Sequence, residues 1–148
     1  MIRIRPAVAT DVETLFEIRC SVRENHQSRE ELAELGITPA TVTEMIEGGD
    51  FSCLIAKIEN QPVGFAMAEY KAGYLFALFV RPEAENRGVG SALLRETENL
   101  LSQIGVKKAF LLTGADESLR AVGFYKKWGW QIAEKLTDGQ LRFDKVLI

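Results

Sequence analysis

Residues able to do chemistry concentrate in the second half of the chain. Arg87-Gly88-Val89-Gly90-Ser91 puts two glycines, a guanidinium and a hydroxyl into five consecutive positions. Glycines without a Cβ let a bulky anion approach the backbone, and the free N–H groups of a following helix attract negative charge. Such a loop grips phosphates; its bland reading is a tight turn between two elements. Tyr125 offers a phenol for acid–base work, and Glu69 offers a carboxylate. Arg23, Glu24 and Asn25 form a polar cluster near the N-terminal end, and Tyr70 and Tyr74 flank a glycine turn.

Spacing argues against two common phosphate loops. A P-loop closes on Gly-Lys-Ser/Thr, whereas Gly90 is followed by Ser91-Ala92; a dinucleotide fingerprint needs a third small residue where Leu93 stands.

The elements that position these residues follow from periodicity. Tyr74 to Val80 is an apolar, aromatic-rich run that reads as a buried strand, and Pro82 ends it. Leu93, Thr97, Leu100, Leu101 and Ile104 share a helical face that stops at Gly105. The loop therefore joins a strand to the N-terminus of a helix. Upstream, Ile2 to Arg5 predicts a strand, Thr10 or Asp11 caps a helix fading near Asn25, and Pro39 to Ile46 predicts a short helix ended by Gly48-Gly49. Ser52–Ile58, Val63–Tyr70 and Tyr74–Val80 form an antiparallel meander. Lys108–Thr113 returns parallel after the glycine-loop helix, and Trp130–Leu136 with Gln140–Leu147 closes a hairpin across Asp138-Gly139. The expectation is one α/β (α+β) domain over residues 1–148, a mixed sheet of about seven strands with about four helices.

Composition narrows the class further. With 148 residues, 47% hydrophobic and 26% charged, the chain can bury a full core. A net charge of −3 has the wrong sign for a nucleic-acid binder. No apolar stretch approaches membrane-spanning length, and the N-terminus lacks the apolar core of a signal peptide. Cys20, Cys53 and the single His26 show no metal-ligand spacing, so no metal and a reducing, cytoplasmic location are expected.

Val80-Arg81-Pro82 followed by Arg87-Gly88-Val89-Gly90-Ser91-Ala92 resembles the acyl-CoA signature of the GNAT N-acetyltransferase superfamily, Gln/Arg-x-x-Gly-x-Gly/Ala. A second segment, Ser118 to Trp130, resembles that family's Asn-x-x-Ala-x-x-x-Tyr-x-x-x-Gly-Phe helix, with Ser118 in place of Asn and Trp130 in place of Phe. Glu85 departs from the first motif's Gln/Arg and places a carboxylate near the phosphates. The resemblance implies a mostly antiparallel sheet splayed at its two central strands, acetyl-CoA as cosubstrate, and transfer of the acetyl group to a primary amine by direct attack. It places pantetheine against the backbone of Leu78, Phe79 and Val80, and the pyrophosphate in the loop Asn86-Arg87-Gly88-Val89-Gly90-Ser91. Ala121 and Tyr125 would line the far wall, Ser118 would be a further cofactor contact, and Tyr125 would be the acid that protonates the departing sulfur. An N–H of Phe79 or Val80 would receive the oxyanion.

The helix–loop–helix region borders the acceptor in that family, which makes Arg23, Glu24 and Asn25 candidate acceptor contacts together with Tyr70 and Tyr74. The strand Tyr74–Val80 holds no Glu or His, so Glu69 is the nearest carboxylate for a base, with Tyr70, Tyr74 or Glu24 acting through water as further candidates. The acceptor is a small-molecule or protein amine, and a homodimer is compatible with the family. A non-catalytic acyl-CoA-binding module stands as the alternative.

Overall fold

The computed structural model describes residues 1–23, 26–114 and 120–147. Seven strands form one sheet: β1 (Ile2–Pro6), β2 (Phe51–Ile58), β3 (Gln61–Glu69), β4 (Tyr74–Val80), β5 (Lys108–Thr113), β6 (Gln131–Lys135) and β7 (Leu141–Val146). Their order across the sheet is β1-β2-β3-β4-β5-β7-β6, antiparallel at every junction except β4–β5. Five α-helices lie among the described residues: α1 (Val12–Ser21), α2 (Arg29–Glu34), α3 (Pro39–Glu47), α4 (Val89–Gln103) and α5 (Arg120–Lys127). The expected count was about four, and α2 is the addition. It begins with a capping box, in which the Ser28 hydroxyl accepts from the Glu31 N–H at 3.1 Å and the Glu31 carboxylate accepts from the Ser28 N–H at 3.0 Å. Its one buried side chain, Leu32, anchors it.

Helices cover the two faces of the sheet unequally. On one face α1 and α3 pack Val12, Leu15, Phe16, Ile18 and Val42 against Cys53, Ile55, Phe65 and Met67. On the other, α4 lays Val89, Leu93, Leu94 and Leu101 against Leu54, Ala66, Ala68 and Leu111, and α5 adds Val122 and Tyr125. Ile104, expected on the buried stripe of α4, caps the helix and is exposed instead. Burial of such aliphatic side chains stabilises by about 1.5–3 kcal/mol each.

Small residues on β3 let α4 approach closely. A Cβ on Gly64 would stand 2.9 Å from the Phe79 carbonyl and 3.1 Å from Val89 Cγ1. The start of α4 is thereby held against the sheet at the point where β4 ends.

The parallel junction is almost entirely open. β4 and β5 share a single register pair, Tyr74 with Phe110, beside a bond from the Phe110 N–H to the Gly73 carbonyl at 2.9 Å. Beyond it they diverge. The Tyr74 and Phe110 rings stack over this junction, 4.5 Å apart and 2° from parallel, and the Arg142 guanidinium lies 4.2 Å from the Phe110 ring centroid.

Candidate active site

Divergence of β4 and β5 opens a cavity of about 730 Å³, within the range of ligand sites. Leu75 to Val80 of β4 form one wall, and Leu111, Leu112 and Thr113 of β5 form the other. Val22 and Arg23, at the end of α1, line it on one face of the sheet; Gly88 to Ser91, Ala121, Phe124, Tyr125 and Trp128 line it on the opposite face. The cavity therefore passes through the sheet and has two mouths.

At the mouth formed by the glycine loop, the sequence sets up an anion cradle. Gly88 is the N-cap of α4 with φ +83°, a conformation that a Cβ would strain, and no side chain caps the helix. The first intrahelical bond runs from the Ala92 N–H to the Gly88 carbonyl at 3.1 Å. The amides of Val89, Gly90 and Ser91 thus have no intrahelical acceptor, and the first turn carries no acidic residue. The cradle fits a phosphate-bearing ligand.

Strand register decides which amides face the cleft. The Arg81 N–H donates to the Val63 carbonyl at 2.8 Å, and Phe79 and Ala77 stand opposite Phe65 and Met67. By the antiparallel alternation, Phe79 and Ala77 turn their amides to β3, while Leu78 and Val80 turn theirs to the cleft. This corrects the expected set: the Phe79 amide belongs to the β3 ladder. Its ring lies on the α1 face, 4.2 Å beneath the Arg19 guanidinium. A bulge between Met67 and Ala68 makes Phe76 the extra residue of β4, beside the splay.

Tyr125 projects from α5 into the cavity, although only 8% of its surface is exposed. Phe124, Trp130 and Phe143 pack around its ring at centroid distances of 5.2, 6.0 and 6.0 Å. Burial pushes its phenol well above the ordinary value, so the group stays protonated. The end of α5 is fixed by Gly129 in the left-handed region, with Trp128 and Trp130 N–H groups both donating to the Tyr125 carbonyl. Glu98 of α4 then accepts from Trp130 Nε1 at 3.2 Å and pairs with Lys145 Nζ at 2.7 Å, and Lys145 also donates to the Trp128 carbonyl.

The structure brings together Leu78, Phe79, Val80, Asn86, Gly88, Val89, Gly90, Ser91, Ala121, Tyr125 and Arg23 around the cavity. Four expected residues do not line it. Arg87 is exposed beside the loop; Tyr74 is half-buried at the closed end of the splay, where burial raises its phenol pKa. Tyr70 borders a separate shallow depression with Lys71 and Lys107. Glu69 pairs across the sheet with Phe51 and Tyr74 at the end of β4 remote from the glycine loop, which corrects its reading as the base. Glu24, Asn25 and Ser118 lie outside the described residues.

One residue that sequence reasoning missed is Arg120. Its Nη1 donates to Glu85 Oε2 and its Nη2 to Asn86 Oδ1 at 2.9 Å, and all three residues line the cavity. The carboxylate that departs from the expected motif is therefore ion-paired. A basic residue beside the expected Ser118–Ala121 wall was the only signal in the sequence. Among the described residues, no cluster of His, Cys, Asp and Glu is arranged to hold a metal ion, and no helix is long and apolar enough to cross a membrane.

Solved structures with this fold are numerous. PaiA N-acetyltransferase from Thermoplasma acidophilum, crystallised with coenzyme A, superposes with a TM-score of 0.87 at 21% identity over 99% of each chain. The ribosomal-protein-S18-alanine N-acetyltransferase of Escherichia coli gives 0.77 at 18% identity, covering 99% of this chain and 94% of that one. A GNAT-family acetyltransferase from Staphylococcus aureus Mu50 gives 0.81 at 16% identity over the whole of both chains. Among curated proteins no sequence matches the chain. The sequence model of the acetyltransferase (GNAT) family matches residues 12–130, and with the splayed sheet and glycine loop in place, the chain belongs to that family.

Proposed function

We propose that the protein transfers an acetyl group from acetyl-CoA to a primary amine by direct attack within a ternary complex. The observation that carries this reading is the splay, a cleft through the sheet with the uncapped start of α4 at one mouth and a buried tyrosine inside. Acetyl-CoA supplies the activated thioester. The amides of Val89, Gly90 and Ser91 hold the pyrophosphate, and the cleft-facing backbone of Leu78 and Val80 binds the pantetheine arm as an added strand would.

Given that placement, the cleft-facing N–H of Val80 or Leu78 is the donor for the developing oxyanion. Tyr125 donates its phenolic proton to the departing sulfur. Burial keeps that phenol in its protonated, donating form. The amine enters on the α1 face past Val22 and Arg23. Glu85, the one carboxylate among the described residues that line the cavity, is paired with Arg120, and Glu24, a candidate base acting through water, lies outside the described residues.

Calorimetric titration with acetyl-CoA, followed by turnover with a panel of amines, tests the reading. Binding with turnover supports it. Binding without turnover on any amine favours a non-catalytic acyl-CoA-binding module, and the absence of binding removes both.

A further inference from the structure

Resting on the acetyl-CoA reading, we propose that Arg120 adds to the helix amides a side-chain charge that favours a phosphate-bearing thioester over a bare pantetheine thioester, and that Glu85 tempers it. The cation that the glycine motif itself offers, Arg87, does not line the cavity; Arg120 does, beside Gly88, Gly90 and Ser91. Its guanidinium is held by two acceptors on the loop, Glu85 Oε2 and Asn86 Oδ1. Asn86 has φ +61°, so the loop bends to present that second acceptor.

Both partners of the ion pair are nearly half exposed, at 49% and 42% of their side-chain surface. A pair so hydrated adds little to stability, and its bonds exchange readily with another anion. A phosphate offers a guanidinium more charge and more acceptor oxygens than one carboxylate does. Glu85 thus has two opposed effects. It orients Arg120 at the mouth before ligand arrives, and it competes with phosphate for the same guanidinium. Its replacement by Gln keeps an acceptor oxygen and removes the competing charge.

Titration calorimetry at low salt, with acetyl-CoA and with acetyl-pantetheine, which carries no phosphate, separates these effects. Arg120→Gln should weaken acetyl-CoA about tenfold and leave acetyl-pantetheine unchanged. Glu85→Gln should tighten acetyl-CoA about threefold, again without effect on acetyl-pantetheine, and the gain should shrink as salt is raised. Equal losses for both ligands in Arg120→Gln, or no loss for either, would overturn the proposal and leave Arg120 a purely structural tie. Weaker acetyl-CoA binding in Glu85→Gln would overturn the tempering role. Failure of the unaltered protein to bind acetyl-CoA would instead remove the parent reading and this inference with it.

Discussion

The Phe110 N–H donates to the Gly73 carbonyl at 2.9 Å, and from that bond the two parallel strands part. Gly73 has φ +67°, and a Cβ there would stand 2.7 Å from the Lys108 carbonyl and 2.9 Å from Val106 Cγ1. Gly73→Ala should therefore destabilise the protein by more than about 2 kcal/mol, combining left-handed strain with displacement of β5. Urea unfolding measures it, and a midpoint unchanged from the parent protein would show that the junction yields without cost.

Gly64 acts at the other end of β4. Adding a methyl group there pushes against the Phe79 carbonyl, Val89 and Leu93, so the start of α4 must move. Gly64→Ala should cost about 1–3 kcal/mol of stability and should also raise the KM for acetyl-CoA. A stability loss with unchanged KM would place the strain elsewhere along α4.

Tyr125→Phe keeps the ring among Phe124, Trp130 and Phe143 and removes only the hydroxyl. Turnover should fall by about 10²–10⁴-fold, with acetyl-CoA affinity nearly unchanged by calorimetry. Equal turnover in the two proteins would remove the phenol from the reaction.

The pH profile follows from the same group. An acid must be protonated to work, and its contribution is lost as pH rises through its pKa; burial lifts that of Tyr125 above the ordinary 10.0. The rate should accordingly climb with pH as the acceptor amine loses its proton and show no falling limb below about pH 10. A descending limb near pH 8 that persists in Tyr125→Phe would identify a different acid.

Asp11, at the N-terminus of α1, accepts two bonds from Arg5 at 2.8 and 2.9 Å and a third from the Val8 N–H. The Arg5 hydrogen bonds lead in holding its carboxyl below 3.8. A depressed carboxylate stabilises the fold above its unfolded pKa, and the benefit disappears as pH falls through the folded value. Asp11→Asn should cost about 1 kcal/mol at pH 7, with the difference in Tm from the parent protein closing below pH 3. A difference that stays constant down to that pH would mean that charge contributes nothing.

Much of this architecture was legible in the sequence because local pattern and tertiary structure agree. The β4 run Tyr74–Val80 and the β5 run Lys108–Thr113 read at their observed bounds, since turn residues punctuate both. α2 was passed over because its polar surface drowned one buried leucine, although Ser28-x-x-Glu31 announced its start. Glu69 misled for a different reason. It lies five residues before Tyr74 in sequence, but the hairpin carries it to the closed end of the splay. The Arg120–Glu85 pair was invisible because its partners are 35 residues apart and meet only when α5 docks beside the loop.

The passage through the sheet has a consequence for traffic. Val22 and Arg23 border one opening, and Gly88 to Ser91 border the other on the opposite face. On the proposed reading, a nucleotide seated at the glycine-loop door leaves the Val22–Arg23 door for the amine, so the two substrates need not share an entrance.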